Sequence, residues 1–362
     1  MEIYLPIVQV HIDVIFILFV SFAVGVLSGL FGVGGGFLMT PFLIFLGIPP
    51  VYAVPNEINN ILATSVSGSM THWFKNTLDY KMGLMIIIGG TVGTVLGIIT
   101  FTFFKETGKL SLIISLSYMY LLAIIGTLML IEGASEIDAA RKKIILKKKL
   151  HTHYWIHGLP LKLRFPKSRL YESAFTPILL GVIVGFVAAL IGVGGAFLMV
   201  PAMIYLIGMP MNLIPGTSLF VTVFISALVT VLHAFQYGSI DLILVIVLVV
   251  GSIVGVQVGQ KIGQYLNSSH LKTLFAMLLC AVAIAIAYDT FFFEGVRQAK
   301  ETEIVNVENL NFFSKFISKL SDNSPLLYGS LAILLAIVLG VIGAGSRQLL
   351  SKYRYIFVIK KN

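Results

Sequence analysis

The chain has 362 residues, 57% of them hydrophobic and only 11% charged, with a formal net charge of +9 at pH 7. Soluble domains carry roughly a quarter charged residues, so this composition excludes a water-soluble globular protein. The apolar runs are continuous rather than alternating, which excludes a transmembrane β-barrel and predicts an all-α polytopic membrane protein.

In chain order, the first half predicts spans at 12–30, 37–48, 58–74, 82–104 and 110–131. Before Ser21 the titratable side chains are Glu2, Tyr4, His11 and Asp13, so the basic region of a cleaved signal peptide is missing. The N-terminal segment is therefore expected to be retained. A polar stretch, 132–173, follows with ten lysines and arginines, from Arg141 to Arg169. The second half predicts spans at 175–191, 197–207, 218–235, 242–262 and 271–293. Its apolar sequence holds the single cysteine, Cys280, which excludes an intramolecular disulfide. A mixed segment, 294–322, leads to a last span at 326–344 and a tail with Arg347, Lys352, Arg354, Lys360 and Lys361. The chain thus divides into a first transmembrane repeat (1–131), a basic loop (132–173), a second repeat (174–293), a further loop (294–324) and a terminal helix with a basic tail (325–362).

Lysine and arginine placement sets the expected orientation. The central loop and the tail should be cytoplasmic by the positive-inside rule. The N-terminus, with no lysine or arginine before Lys75, and the 294–322 segment should face outward. Lys75, Lys81, Lys261 and Lys272 agree with this arrangement, whereas Lys105 and Lys109 do not. An outer start for the first repeat and an inner start for the second predict inverted-topology repeats, a signature of secondary transporters.

The repetition is visible in the residues. "LFGVGGGFLMTP" (30–41) recurs as "LIGVGGAFLMVP" (190–201), Gly25 matches Gly185, and Pro55 matches Pro215. Gly89/Gly93/Gly97 matches Gly251/Gly255/Gly259, a spacing that serves close helix packing. Gly32, Gly34, Gly35 and Gly36, like Gly192, Gly194 and Gly195, disfavour a helix interior by about 1 kcal/mol each against alanine. The segments that follow them are short. A broken, re-entrant helix is predicted in each repeat, tolerated at membrane depth only inside protein or along a water-filled cavity. The resumed helix would point amide groups and a positive dipole end into that cavity, an arrangement suited to anions. Two such ends, brought together by a pseudo-twofold, would form a backbone cage for a small anion. The competing reading is that the glycines serve packing alone. A nucleotide loop is excluded, because no β-strand precedes and no Gly-Lys-Ser/Thr follows.

The paired motifs, each followed by a proline-containing turn and a polar-studded third helix, resemble the sulfite exporter TauE/SafE family over 12–131 and 175–293. The resemblance implies an inner-membrane permease, an exporter of a small anion such as sulfite or another sulfur oxyanion or organosulfonate. The long basic loop, the 294–322 insertion and the contrast of "PNEINNI" (55–61) with "PGTSLFV" (215–221) depart from the simplest repeat pattern.

Polar residues refine the expected site. Asn60, Thr64 and Ser218 are the leading side-chain ligands by distance from the breaks, with interhelical hydrogen bonding as the competing role. His72 and His233 are candidates for proton coupling. Their alternative role is interfacial, at helix ends. Glu57, close to a turn, is placed at a mouth. "HTHYWIH" (151–157) lacks nearby cysteine or acidic ligands and is a weak metal motif, so no metal or cofactor is assigned. Its apolar and basic neighbours instead suit anionic lipid headgroups, and the net charge needs no nucleic acid to explain it. Oligomeric state is left open. An anion channel, an importer and a membrane enzyme are the alternatives, the last without a catalytic motif.

Overall fold

The computed structural model describes residues 2–8, 10–31, 38–141, 161–210, 212–263, 268–300 and 324–359. Helix dominates, and among the described residues six helices are long and apolar enough to cross a membrane. The first glycine cluster, the 142–160 segment with its lysines and "HTHYWIH", and residues 301–323 lie outside the described residues.

A β-hairpin opens the chain: β1 (Glu2–Tyr4) pairs antiparallel with β2 (His11–Asp13), with Ile3 opposite Ile12. Helix α1 (Val14–Phe31) follows, its first turn held by the Asp13 carboxylate accepting from the Ile15 amide at 3.1 Å. Short α2 (Met39–Phe45) precedes α3 (Pro50–Phe74), which starts on a proline preorganised for a first helical turn. Asp79 caps α4 (Tyr80–Glu106) by accepting from the Met82 amide at 3.1 Å. Helix α5 (Leu110–Arg141) runs ten residues past the sequence-predicted end at 131, so much of the acidic start of the polar stretch is helical.

The second half starts in the same way. A hairpin, β3 (Lys162–Phe165) with β4 (Leu170–Ser173), precedes α6 (Phe175–Ile191). Then come α7 (Ala196–Ala202), continued by a π-helical turn at Met203–Ile207, α8 (Ile214–Tyr237), α9 (Leu242–Gly263) and α10 (Ser268–Lys300). Helix α11 (Pro325–Ile359) ends the described chain. Both hairpins were missed by the sequence reading, which started its first span at 12 and placed the second hairpin in the polar loop.

Close approach between helices is set by glycine. A Cβ on Gly89 or Gly93 of α4 would stand 1.9 or 2.0 Å from the carbonyl oxygens of Ile178 and Val182 on α6. On Gly255 or Gly259 of α9 it would stand 2.2 or 2.1 Å from those of Phe22 and Val26 on α1. The packing ridges read from the spacing are thus physically present, and residue numbers rise together in both pairs. Helices α4 and α6 run parallel, as do α1 and α9. Two other pairs run antiparallel. Gly126 and Gly133 of α5 meet Cys280 and Thr273 of α10, while Gly68 of α3 meets Leu219 of α8. Thr230 donates to the Asn59 side-chain oxygen at 3.4 Å within the α3–α8 contact.

Helix α3 sits at the centre, with 17 buried residues from Pro50 to Ser69, many of them polar. It packs on α2, α5, α8, α9 and α11, which explains how a helix too polar to face lipid is accommodated. Helix α11 buries Tyr328, Ala332 and Ala336 against this centre and exposes Leu327, Leu334 and Val338. On α4, Leu84, Ile88, Val92, Val95 and Ile99 are likewise exposed, an apolar surface suited to lipid.

Candidate substrate site

The second glycine cluster breaks the chain as its composition predicts. Helix α6 stops at Ile191, and Gly192 (φ +84°) donates its amide to the Ala188 carbonyl at 2.9 Å. Gly194 (φ +68°) and Gly195 (φ +77°) follow before α7 resumes. Three left-handed residues within four positions account for the glycine requirement, since a side chain there is strained. Met199 makes the first backbone bond of α7, to the Gly195 carbonyl at 2.9 Å, so the Val193 and Gly194 amides lie ahead of its hydrogen-bonded ladder. All four residues of the break are buried.

The break rests on α3. A Cβ on Gly192 would meet Val54 at 3.0 Å and the Thr40 hydroxyl at 3.3 Å, and one on Gly194 would meet Ile61 at 2.4 Å. Thr40 belongs to α2, so the resumed segment of the first half begins beside the break of the second. His233 of α8, fully buried, places Nε2 3.1 Å from the Ala189 carbonyl and stands edge-on to Phe101 with centroids 4.7 Å apart. Ala189 lies in the last turn of α6, where carbonyls lack intrahelical donors. His233 therefore caps the broken end of α6, and it is a buried residue rather than an interfacial one. His72 is half-buried near the end of α3, with Nδ1 2.8 Å from the Thr77 hydroxyl.

Between the two α3 residues that touch the break, on the same helical face, stands Glu57. It is fully buried, and Asn60 Nδ2 approaches its two carboxyl oxygens at 3.3 and 3.2 Å. The sequence reading placed it at a mouth because it started the third helix at 58; α3 starts at Pro50, which puts Glu57 two turns inside. Asn60 Oδ1, Thr40 Oγ1 and the Tyr118 hydroxyl of α5 are buried without a well-formed hydrogen bond. The hydroxyls of Thr40 and Tyr118 face each other, and Tyr118 lies within electrostatic reach of Glu57. Tyr118 also lines a small, narrow cleft with Pro41, Ile44, Phe45, Ser115, Ile286 and Asp289.

The other sequence candidates divide. Asn60 is on α3, next to Ile61, which packs on Gly194. Thr64 is buried on that helix too, but its hydroxyl donates within α3, to the Asn60 and Ile61 carbonyls at 3.0 Å. Ser218 is not brought to this break. Its neighbour Leu219 contacts Gly68, eight residues and about 12 Å along α3 from Asn60, and its own hydroxyl donates to the Pro215 carbonyl at 3.1 Å. Gly32, Gly34, Gly35 and Gly36 lie outside the described residues. Thr40 and Tyr118 were missed. An isolated hydroxyl in an apolar run carries no periodic signal, and only packing brings these two together.

A family model for the sulfite exporter TauE/SafE matches residues 17–286, a range that includes the break, α3 and every helix packed on them except α11. The chain belongs to the sulfite exporter TauE/SafE family. It is 30% identical over 231 residues to a probable membrane transporter protein of Bacillus subtilis, YjnA, covering 63% of this chain and 82% of that one. A probable membrane transporter protein of Xylella fastidiosa is 27% identical over 225 residues, covering 61% and 72%. No solved structure matches the chain significantly. Membership of TauE/SafE and the six apolar helices make this a multi-pass membrane protein of a transporter family.

Proposed function

We propose that this TauE/SafE member is a secondary transporter that exports a small anion, such as sulfite, another sulfur oxyanion or an organosulfonate, bound at the Gly192–Gly195 break. The observation that carries the reading is that break: left-handed backbone, buried within the helical bundle, with amides ahead of a resuming helix and Val54, Ile61 and the Thr40 hydroxyl packed against it. Backbone amides hold an oxyanion without a buried cation, and no lysine or arginine lies centrally in any predicted span.

Inverted repeats are part of the same proposal. Helix α1 pairs with α9 and α4 with α6, so each half's first helix packs on the other half's fourth. The central pairs, α3 with α8 and α5 with α10, run antiparallel. Counterpart helices of opposite direction are what an axis in the membrane plane produces. The matching cluster, Gly32 to Gly36, completes the proposed symmetry.

Flux into proteoliposomes containing sulfite, thiosulfate, methanesulfonate or acetate tests the reading. Saturable uptake with accelerated exchange for at least one sulfur oxyanion is expected. Conduction that stays linear with concentration identifies a channel and overturns it.

A further inference from the structure

We infer that Glu57 is the proton site of this transporter, and that the anion at the Gly192–Gly195 break and a proton on Glu57 move together. The inference rests on the transport reading above and adds its coupling ion.

The geometry is specific. Val54 and Ile61 touch the glycines of the break, and Glu57 lies between them, three residues from one and four from the other, on the same face of α3. Its hydrogen-bonding partner is Asn60 alone among the described residues. Asn60 Oδ1 beside it and the Tyr118 hydroxyl within its electrostatic reach are buried without a well-formed bond, and Tyr118 in turn faces Thr40 Oγ1. A buried carboxylate with no cation beside it is costly, whereas a carboxylic acid is an ordinary hydrogen-bonding group. An anion at the break raises that cost further by like-charge repulsion, so anion and proton favour each other's binding. That mutual preference is the coupling, and it is reciprocal.

The elements packed on α3 offer few other charges. Helix α2 has no titratable residue. Helix α5 presents Tyr118, α8 presents His233 and Tyr237, the start of α9 presents Asp241, and α11 presents Tyr328. His233 is turned to the Ala189 carbonyl, and Asp241 is held by the Ile7, Ile243 and Leu244 amides. Tyr237 meets Thr102, and Tyr328 lies within electrostatic reach of Asp241. Among the described titratable residues of these elements, Tyr118 interacts with Glu57, and it also borders the cleft lined by Asp289. The proton enters from water on the loading side and returns to water on the release side; no bond other than O–H is made or broken.

The test uses thiosulfate and methanesulfonate, anions of strong acids that carry no proton themselves. In proteoliposomes with a pH dye in the lumen, an inward anion gradient should acidify the lumen, and a monovalent anion should move without net charge. Anion affinity of the purified wild type should fall about tenfold per pH unit once Glu57 ionises, the slope of one linked proton. Glu57→Gln should flatten that slope and abolish the lumenal acidification, leaving the remaining anion flux proton-free. The wild-type measurements stand alone if the variant does not fold. Anion flux with no proton movement in the wild type, or with proton movement unchanged in Glu57→Gln, overturns the coupling and leaves the transport reading intact. No flux of any anion overturns both.

Discussion

Gly194 is limited by two separate constraints, its φ of +68° and the Ile61 side chain 2.4 Å from where a Cβ would stand. The clash with Ile61 acts on stability directly. Gly194→Ala should lower thermal stability in detergent, and Ile61→Ala should lower it too by leaving a cavity. Combined, the two should cost less than their sum by on the order of 1 kcal/mol, since truncating Ile61 clears the new methyl. Strict additivity in a double-mutant cycle would mean that the clash is absent and the break packs elsewhere. Glycine is legible at this scale because its identity reports backbone geometry. Glu57 is not, because the same letter serves equally at a water-facing turn and in a bundle centre.

At the scale of elements, the two hairpins do corresponding jobs. Asp241, at the start of α9, accepts from the Ile7 amide of the first hairpin at 3.0 Å, while its own amide donates to Asn56 of α3 at 2.7 Å. Asp79, at the start of α4, accepts from the Ser168 amide of the second hairpin at 3.1 Å, while its own amide donates to Thr217 of α8 at 3.0 Å. Each hairpin is thus clamped onto a helix start in the other half of the chain. Asp241→Ala should raise amide hydrogen exchange at Ile7 and leave Ser168 protected; Asp79→Ala should do the reverse. Each change removes a helix cap, so a stability loss of about 1 kcal/mol should accompany it. Equal exchange at both hairpins in either variant would refute separate clamps. Strands of three or four residues carry too little alternation to be read from a sequence, and a lone hairpin is marginal in water. These two depend on contacts more than eighty residues away.

Lys81, Arg164, Lys167 and Arg169 gather at one end of the molecule, against Lys105 and Lys109 at the other. Lys81 donates to the Arg164 carbonyl at 2.7 Å, and Lys167 donates to Asn76 at 2.6 Å, so the turn before α4 and the second hairpin share one end. Thr107, exposed after α4, lies at the other end of that helix. By the positive-inside rule, the Lys81 end should be cytoplasmic. On a Cys280→Ala background, a membrane-impermeant maleimide added to intact cells should label Thr107→Cys. Tyr171→Cys, exposed on β4, should react only after permeabilisation. Labelling of both from one side would remove the basis for inverted repeats, and the reverse pattern would invert the orientation.

The sequence by itself determined the solvent, the helical class, the family and the breakage at Gly192–Gly195. Each follows from local chemistry: apolar runs of membrane length, a duplicated motif, and glycine where L side chains are strained. It also revealed the ridges at Gly89/Gly93 and Gly255/Gly259, since small residues one turn apart have few other uses in a span. Only the tertiary structure decided which ridges meet, that the neighbour of Ser218, Leu219, contacts α3 at Gly68, about 12 Å along that helix from Asn60, and that His233 caps α6 through the Ala189 carbonyl. It alone enclosed Glu57 with Asn60, Thr40 and Tyr118. These are relations between residues 3 to 233 positions apart, and a hydrogen bond or a clash depends on ångström-scale placement that no local pattern encodes.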